Sequence, residues 1–196
     1  MKHADALTIA QGLVECLRPA CTRIEIAGSI RRGKAEVKDI EIVAIPDLTP
    51  VPRPRAEFGK PIPKVHKTKL DAILDEMVSE RLICFEKNGD KHKKFDFQNH
   101  IYCDLFLVTP PAEWGVQMVI RTGPADFSHW IVTRQRSGGA MLNTHRVQDG
   151  AVWLGATEEK NPDPSTKLSM PEEMDFFRFL GLGWIEPGAR EARWKR

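Results

Sequence analysis

Two acids alternate with two isoleucines in Asp39-Ile40-Glu41-Ile42, and the apolar run continues to Ile45 before Pro46 ends it. Residues two apart on a strand share a face. Such a strand has one face for a core, carrying Ile40 and Ile42, and a second face carrying Asp39 and Glu41. A strand needed only for packing does not place acids there, so the fold must leave that face open. Asp104 interrupts a later apolar strand, Ile101-Tyr102-Cys103-Asp104-Leu105-Phe106-Leu107-Val108, in the same manner. If the two strands are neighbours in one sheet, Asp39, Glu41 and Asp104 converge. Like charges at close quarters call for cations, and oxygen-only ligands select hard ones, Mg²⁺ first and Mn²⁺ next. Two such ions can clamp the attacking and leaving oxygens of a phosphoryl transfer. A lone Asp-x-Glu on a strand is most often a solvated edge. The weight here comes from the third acid and from what precedes the first two.

What precedes them is a turn, Gly28-Ser29-Ile30-Arg31-Arg32-Gly33. Gly28 and Ser29 bring backbone N–H groups and a hydroxyl close to a ligand, and Arg32 carries a planar fork suited to phosphate oxygens. Bulk charge does not point to nucleic acid, because the formal net charge over 196 residues is only +2. Local clusters must carry that argument. None of the four cysteines forms a CxxC pair, and no Cys/His group has zinc spacing. Reduced thiols in an intracellular, cytoplasmic setting are expected. No apolar run approaches membrane-spanning length, and charged and polar residues interrupt the first 20 positions, so neither membrane association nor a leader peptide is expected.

The periodicity predicts a helix through Leu7, Ala10, Leu13, Val14 and Leu17, stopped by Pro19. A strand holding Ile24 and Ile26 leads to Gly28-Ser29, and a second runs from Asp39 to Ile45. The proline-rich, basic stretch from Pro46 to Pro63 should be an extended loop. Thr68 can cap a helix carrying Leu70, Ile73, Leu74, Met77 and Val78. "KKFDF" and "IYCDLFLV" flank Gln98-Asn99-His100 as a hairpin. After Pro110-Pro111 the character changes to short helices, glycine turns and tryptophans, which marks a boundary near 110. The last helix, "PEEMDFFRFLG", has Pro171 near its start and Gly181 just past its end. Phe176, Phe177, Phe179 and Trp184 should build the C-terminal core.

"GSIRRGKAEVKDIE" resembles the nucleotide- and metal-binding signature of the X-family DNA polymerases, the group that includes DNA polymerase beta. "WGVQMVIRTGPADF" is similar to that family's junction of palm and thumb, and "PEEMDFFRFLGLGWIEPGARE" to its C-terminal thumb signature. The resemblance implies an α/β (α+β) fold, a nucleotidyltransferase palm with a mixed β-sheet flanked by helices, plus a small C-terminal thumb. The palm would span 1–110 and the thumb 111–196. About 27 residues precede Gly28, so neither an N-terminal lyase lobe nor a helix-hairpin-helix lobe is expected.

Carried over by position, the resemblance makes Asp39, Glu41 and Asp104 the catalytic carboxylates and the ligands of two Mg²⁺ ions, with Mn²⁺ a substitute. Gly28, Ser29, Arg32, Lys38, Thr122 and Gly123 become nucleotide-binding residues, while Arg31 is a weaker candidate for the triphosphate, with solvent or DNA as its alternative. Lysines Lys91, Lys93 and Lys94, with Arg134 and Arg136, are candidate DNA contacts; the bland reading of each is a solvated loop. The departures are Glu41 for an aspartate, Lys38 for a glycine, and Ile120-Arg121 where the family usually has two aromatics. Ser128 and Val132 stand where it has an Asn and an Arg against the nascent base pair. The implied activity adds nucleoside monophosphates from triphosphates to a nucleic-acid 3′-hydroxyl, with release of pyrophosphate. A monomer acting on primer-template, gapped or end DNA in repair is the leading expectation. The alternatives are a nucleotidyltransferase acting on RNA or a protein hydroxyl, and a catalytically weak DNA-end or nucleotide-binding module.

Overall fold

The computed structural model describes residues 1–49 and 68–194. Most of the expected proline-rich loop lies outside the described residues. The first helix, α1 (His3–Leu17), turns Ala6, Ala10, Leu13, Val14 and Leu17 inward, and a single turn of 3-10 helix with Pro19 ends it. Strand β1 (Cys21–Ile26) follows, then a one-turn helix α2 (Gly28–Arg31) and strand β2 (Asp39–Pro46). Helix α3 (Lys69–Ser79) begins with a capping box: the Asp71 backbone N–H donates to Thr68 Oγ1 at 3.1 Å, and the Thr68 N–H donates to Asp71 Oδ2 at 3.2 Å. Strands β3 (Ile83–Asn88), β4 (His92–Phe97) and β5 (Ile101–Leu107) complete the sheet.

The order across this mixed five-stranded sheet is β1-β2-β5-β4-β3, with β2 and β5 parallel and every other pair antiparallel. Its two faces are used differently. Ile40, Ile42, Ala44, Cys103, Leu105 and Leu107 face the main core, together with the apolar sides of α1 and α3. Val43 and Phe106 lie on the opposite face and pack against Trp114 and Met118. Those two residues belong to α4 (Trp114–Thr122), which covers only part of that face. Asp39, Glu41 and Asp104 alternate with the core residues and occupy the remainder.

After α4 come α5 (Ala125–Val132), the hairpin β6 (His145–Gln148) and β7 (Ala151–Leu154), the short strand β8 (Lys167–Leu168) and α6 (Glu173–Phe179). Strands β6, β7 and β8 form a separate three-stranded sheet. The sequence reading anticipated short helices and glycine turns in this region; it missed the sheet. Phe127, Trp130, Ile131, Phe176 and Phe177 form the second core. Trp184 is a correction: it is 40% exposed, with its edge against Phe177 and its indole N–H donating to Glu186.

The two cores are joined by charge as well as by the α4 contact. Arg31 Nη2 meets Glu173 Oε2 at 2.5 Å, and Arg190 Nη2 meets Glu173 Oε1 at 2.8 Å. Arg31 therefore faces the C-terminal region, not solvent. Arg23 forms a bidentate pair with Glu172 at 2.6 and 3.0 Å and stacks on Trp114. The side chain of Arg190 is fully buried, so Glu173 balances a cation that water does not reach. Glu173→Ala is expected to lower stability by roughly 3–5 kcal/mol, because it strands that charge. The urea midpoint measures it; Glu172→Ala, which breaks an exposed pair, should cost less than about 1 kcal/mol.

Candidate active site

The parallel register places Glu41 beside Asp104 and Asp39 beside Tyr102. In-register residues of neighbouring strands point the same way, so the three expected carboxylates lie on one face. Gly28 fixes the position of Glu41. Its φ is +60°, and a Cβ built there would fall 1.7 Å from Glu41 Oε2, so backbone conformation and space both exclude a side chain. The Ala27 N–H donates to the Glu41 carbonyl at 2.8 Å, and the Ser29 backbone N–H donates to the Glu41 side chain.

The electrostatics of the cluster are unbalanced. Burial pushes the Glu41 carboxyl up to about 7, repulsion from Asp39 and Asp104 adds to that, and Arg32 and the Ser29 N–H oppose it. Asp104 is turned to a partner that the sequence reading did not single out as part of the site: its Oδ1 lies 2.6 Å from His92 Nε2. His92 is stacked on Phe106, centroids 4.6 Å apart, and the Arg121 guanidinium lies 3.9 Å from the Phe106 ring centroid. His92 was visible only as one member of a basic run. Its role depends on the β4–β5 pairing, which sets His92 beside Phe106.

Among the described residues, no three His, Cys, Asp or Glu side chains close around a metal position. Glu41 leans on the Gly28-Ser29 turn and Asp104 on His92. The donor chemistry nevertheless fits hard divalent cations: three carboxylates share one open sheet face, and Ser29 Oγ and Arg32 Nε are buried with no hydrogen-bond partner. Arg32 Nη1 donates to the Thr122 carbonyl at 2.6 Å, and Arg31 Nη1 to Thr122 Oγ1 at 2.8 Å. Thr122 and Gly123 thus end α4 directly against the GSIRR segment. Lys38 is exposed next to Asp39.

The remaining expected contacts divide. Lys93 is buried, 2.9 Å from Asp71 and 2.5 Å from Asn88, and presents no free ammonium to a phosphate. Lys94 pairs with Glu86 at 2.7 Å and Lys91 with Asp149 at 2.6 Å, both at the surface. Arg136 is exposed, and half-buried Arg134 donates to the Ala156 carbonyl. A cleft of about 460 Å³ in the C-terminal region is lined by Ile120, Ser128, His129, Val132 and Arg134 among others. The Ser128 hydroxyl donates to the Ile120 carbonyl at 2.6 Å, so it is committed to the end of α4.

With this geometry in hand, likeness to known proteins is informative. Residues 117–191, from within α4 to just past the buried Arg190, match the DNA polymerase beta thumb family. Rat DNA polymerase lambda is 26% identical over 172 residues, 84% of this chain and 28% of that protein. The crystal structure of Leishmania infantum polymerase beta in a ternary P/T complex superposes with a TM-score of 0.68 at 16% identity. It covers 97% of this chain and 76% of the other. The chain resembles the X-family DNA polymerases in its C-terminal region and in its fold. It spans little more than a quarter of the lambda relative's length, and its mixed sheet flanked by helices is the fold of the beta structure. For this polymerase-like chain the Glu41 environment has a thermodynamic signature. The folded-state pKa of about 7 stands above the ordinary 4.5. Between those values the native state holds a proton that the unfolded chain has lost, so stability falls as pH rises through the window. Glu41→Gln should therefore stabilise the metal-free protein by about 1–3 kcal/mol at pH 8 and by little at pH 4.5. Thermal melts in EDTA at the two pH values measure the difference.

Proposed function

We propose that the chain is a nucleotidyltransferase that extends a nucleic-acid 3′-hydroxyl from a nucleoside triphosphate. The observation that carries this reading is the Glu41–Asp104 register under the Gly28-Ser29 turn: acids on one face, and a buried hydroxyl and a guanidinium nitrogen without partners beside them. DNA is the substrate in the leading form of the reading, because the named relatives are DNA polymerases and one was solved in a P/T complex. The division into a palm over 1–110 and a thumb over 111–196 is part of the same proposal. It is supported by one core that runs from Ala6 to Leu107 and another from Val116 to Ile185.

In the proposed reaction a bond forms between the 3′-oxygen and the α-phosphorus, and the bond to the β-phosphate oxygen breaks. Pyrophosphate carries away the charge, and the hydroxyl proton passes to a base. Asp39, Glu41 and Asp104 would hold two divalent ions, which when bound supply Lewis-acid stabilisation of the attacking and leaving oxygens. The work of this chain's own residues is positional. Gly28 leaves the space in which Glu41 meets the turn, and the Ser29 backbone N–H donates to the Glu41 side chain. Arg32 is held by the Thr122 carbonyl with its Nε free for phosphate. Asp104, the register partner of Glu41, would accept the hydroxyl proton in this reading.

A labelled primer, alone and in gapped and blunt duplexes, offered each dNTP and rNTP with Mg²⁺ or Mn²⁺, tests the reading. Wild type should extend the primer. Asp104→Asn should lose extension by roughly 10²–10³-fold or more while melting normally; near-normal extension by a folded variant would remove the central claim. The two arginines should separate. Arg32→Lys is expected to raise the nucleotide KM, since a point charge replaces a fork. Arg31→Lys should act mainly on stability through Glu173. The reverse order would mean that the arginine roles are exchanged.

A further inference from the structure

Arg121 is unusually placed for a cation. Its guanidinium is half-buried and lies over Phe106, which is two residues from Asp104 on the same strand face. Its Nε reaches only Gln117 Oε1, at 3.4 Å. Among the described residues its terminal nitrogens make no hydrogen bond or ion pair. Two neighbouring side chains are already engaged: Lys91 with Asp149, and His92 with Asp104. Arg121, Lys91 and His92 share the wall of a cavity of about 230 Å³. Burial lowers the pKa of Arg121, and the charges of Glu41 and Asp104 oppose that effect, so the carboxylates and the guanidinium attract one another across the site.

We propose that Arg121 is a resident counter-cation of the carboxylate cluster, which competes with divalent ions until a triphosphate draws its guanidinium away. The physical basis is simple. A fixed positive charge stabilises Glu41 and Asp104 in each other's company, and repels a further cation that comes to the same carboxylates. Phe106 and Gln117 hold it without the full pairing of a salt bridge, so it can exchange partners. Phosphate oxygens offer a guanidinium two charge-assisted hydrogen bonds, which are stronger than its present contacts. Metal loading would then depend on nucleotide. This rests on the carboxylates being the metal site proposed above, and the test separates the two ideas.

The test is Mn²⁺ binding, read from the free-ion electron paramagnetic resonance signal, with no primer and no turnover. Arg121→Gln should bind Mn²⁺ about tenfold more tightly than wild type in the absence of nucleotide. Arg121→Lys, which keeps the charge, should stay within about threefold of wild type. With a non-hydrolysable triphosphate present, the gap between wild type and Arg121→Gln should narrow. Unchanged affinity in a folded Arg121→Gln overturns the inference, as does an equal gap with and without the triphosphate. Asp104→Asn is the control for the site. If it lowers Mn²⁺ binding while Arg121→Gln does nothing, only the Arg121 role fails. If Asp104→Asn leaves Mn²⁺ binding intact, the metal site is elsewhere and both readings fall.

Discussion

The parallel pairing of β2 with β5 is the constraint on which the rest of the site depends. It pairs residues 63 positions apart in sequence and sets Glu41 against Asp104 in register. A one-residue slip of either strand would send an acid into the main core and an apolar residue to the open face. The apolar alternation of Ile40, Ile42, Cys103 and Leu105 forbids that slip, since all four are completely buried. The core therefore enforces the chemistry: the side chains that hold the sheet to α1 and α3 also decide which way the carboxylates point.

Converging acids are costly to a folded protein, and the surroundings show how that cost is limited. Glu41 meets a backbone N–H in a space that only glycine leaves open, Asp104 meets His92, and Arg32 and Arg121 supply positive charge at longer range. None of these compensations is complete. The Glu41 carboxyl stays pushed up to about 7, and polar atoms of Ser29 and Arg32 are buried without partners. Unpaired buried polar groups are rare in native structures and tend to mark function. A site balanced by its own residues would hold substrate charge weakly; this one is left short of cationic charge on the carboxylate side and of acceptors beside Arg32.

Much of this was legible in the sequence because it rests on local rules. The period-2 alternation around Asp39, the Thr68 cap, the hairpin across Gln98-Asn99-His100 and the Pro171–Gly181 bounds of the last helix each follow from residue type and spacing. What was missed depends on distant partners. Strand β3 is exposed over most of its length and polar toward its end, so no apolar pattern announced it. The second sheet is made of strands of four residues or fewer, one of them only two long, too short for periodicity to register. Lys93 looked like part of a basic surface run. It is buried because β4 turns it toward Asp71, 22 residues away in sequence, and toward Asn88 across the hairpin with β3.

The same distinction explains the arginines of the GSIRR segment. Sequence alone marks both as cations near a phosphate-binding turn, and the turn cannot say which one faces the site. That choice is made from 90 to 142 residues away, by Thr122 and Glu173. Glu173 takes Arg31 in a two-point contact and shares the load with Arg190, which fixes the face of α2 that meets the C-terminal core. Arg32 is then left on the other side, toward Asp39 and Glu41, with one nitrogen anchored and one unpartnered. The joint between the two cores and the arrangement of the site are therefore one structure. A substitution that loosens Glu173 would reach the carboxylates through α2, without touching any residue that faces them.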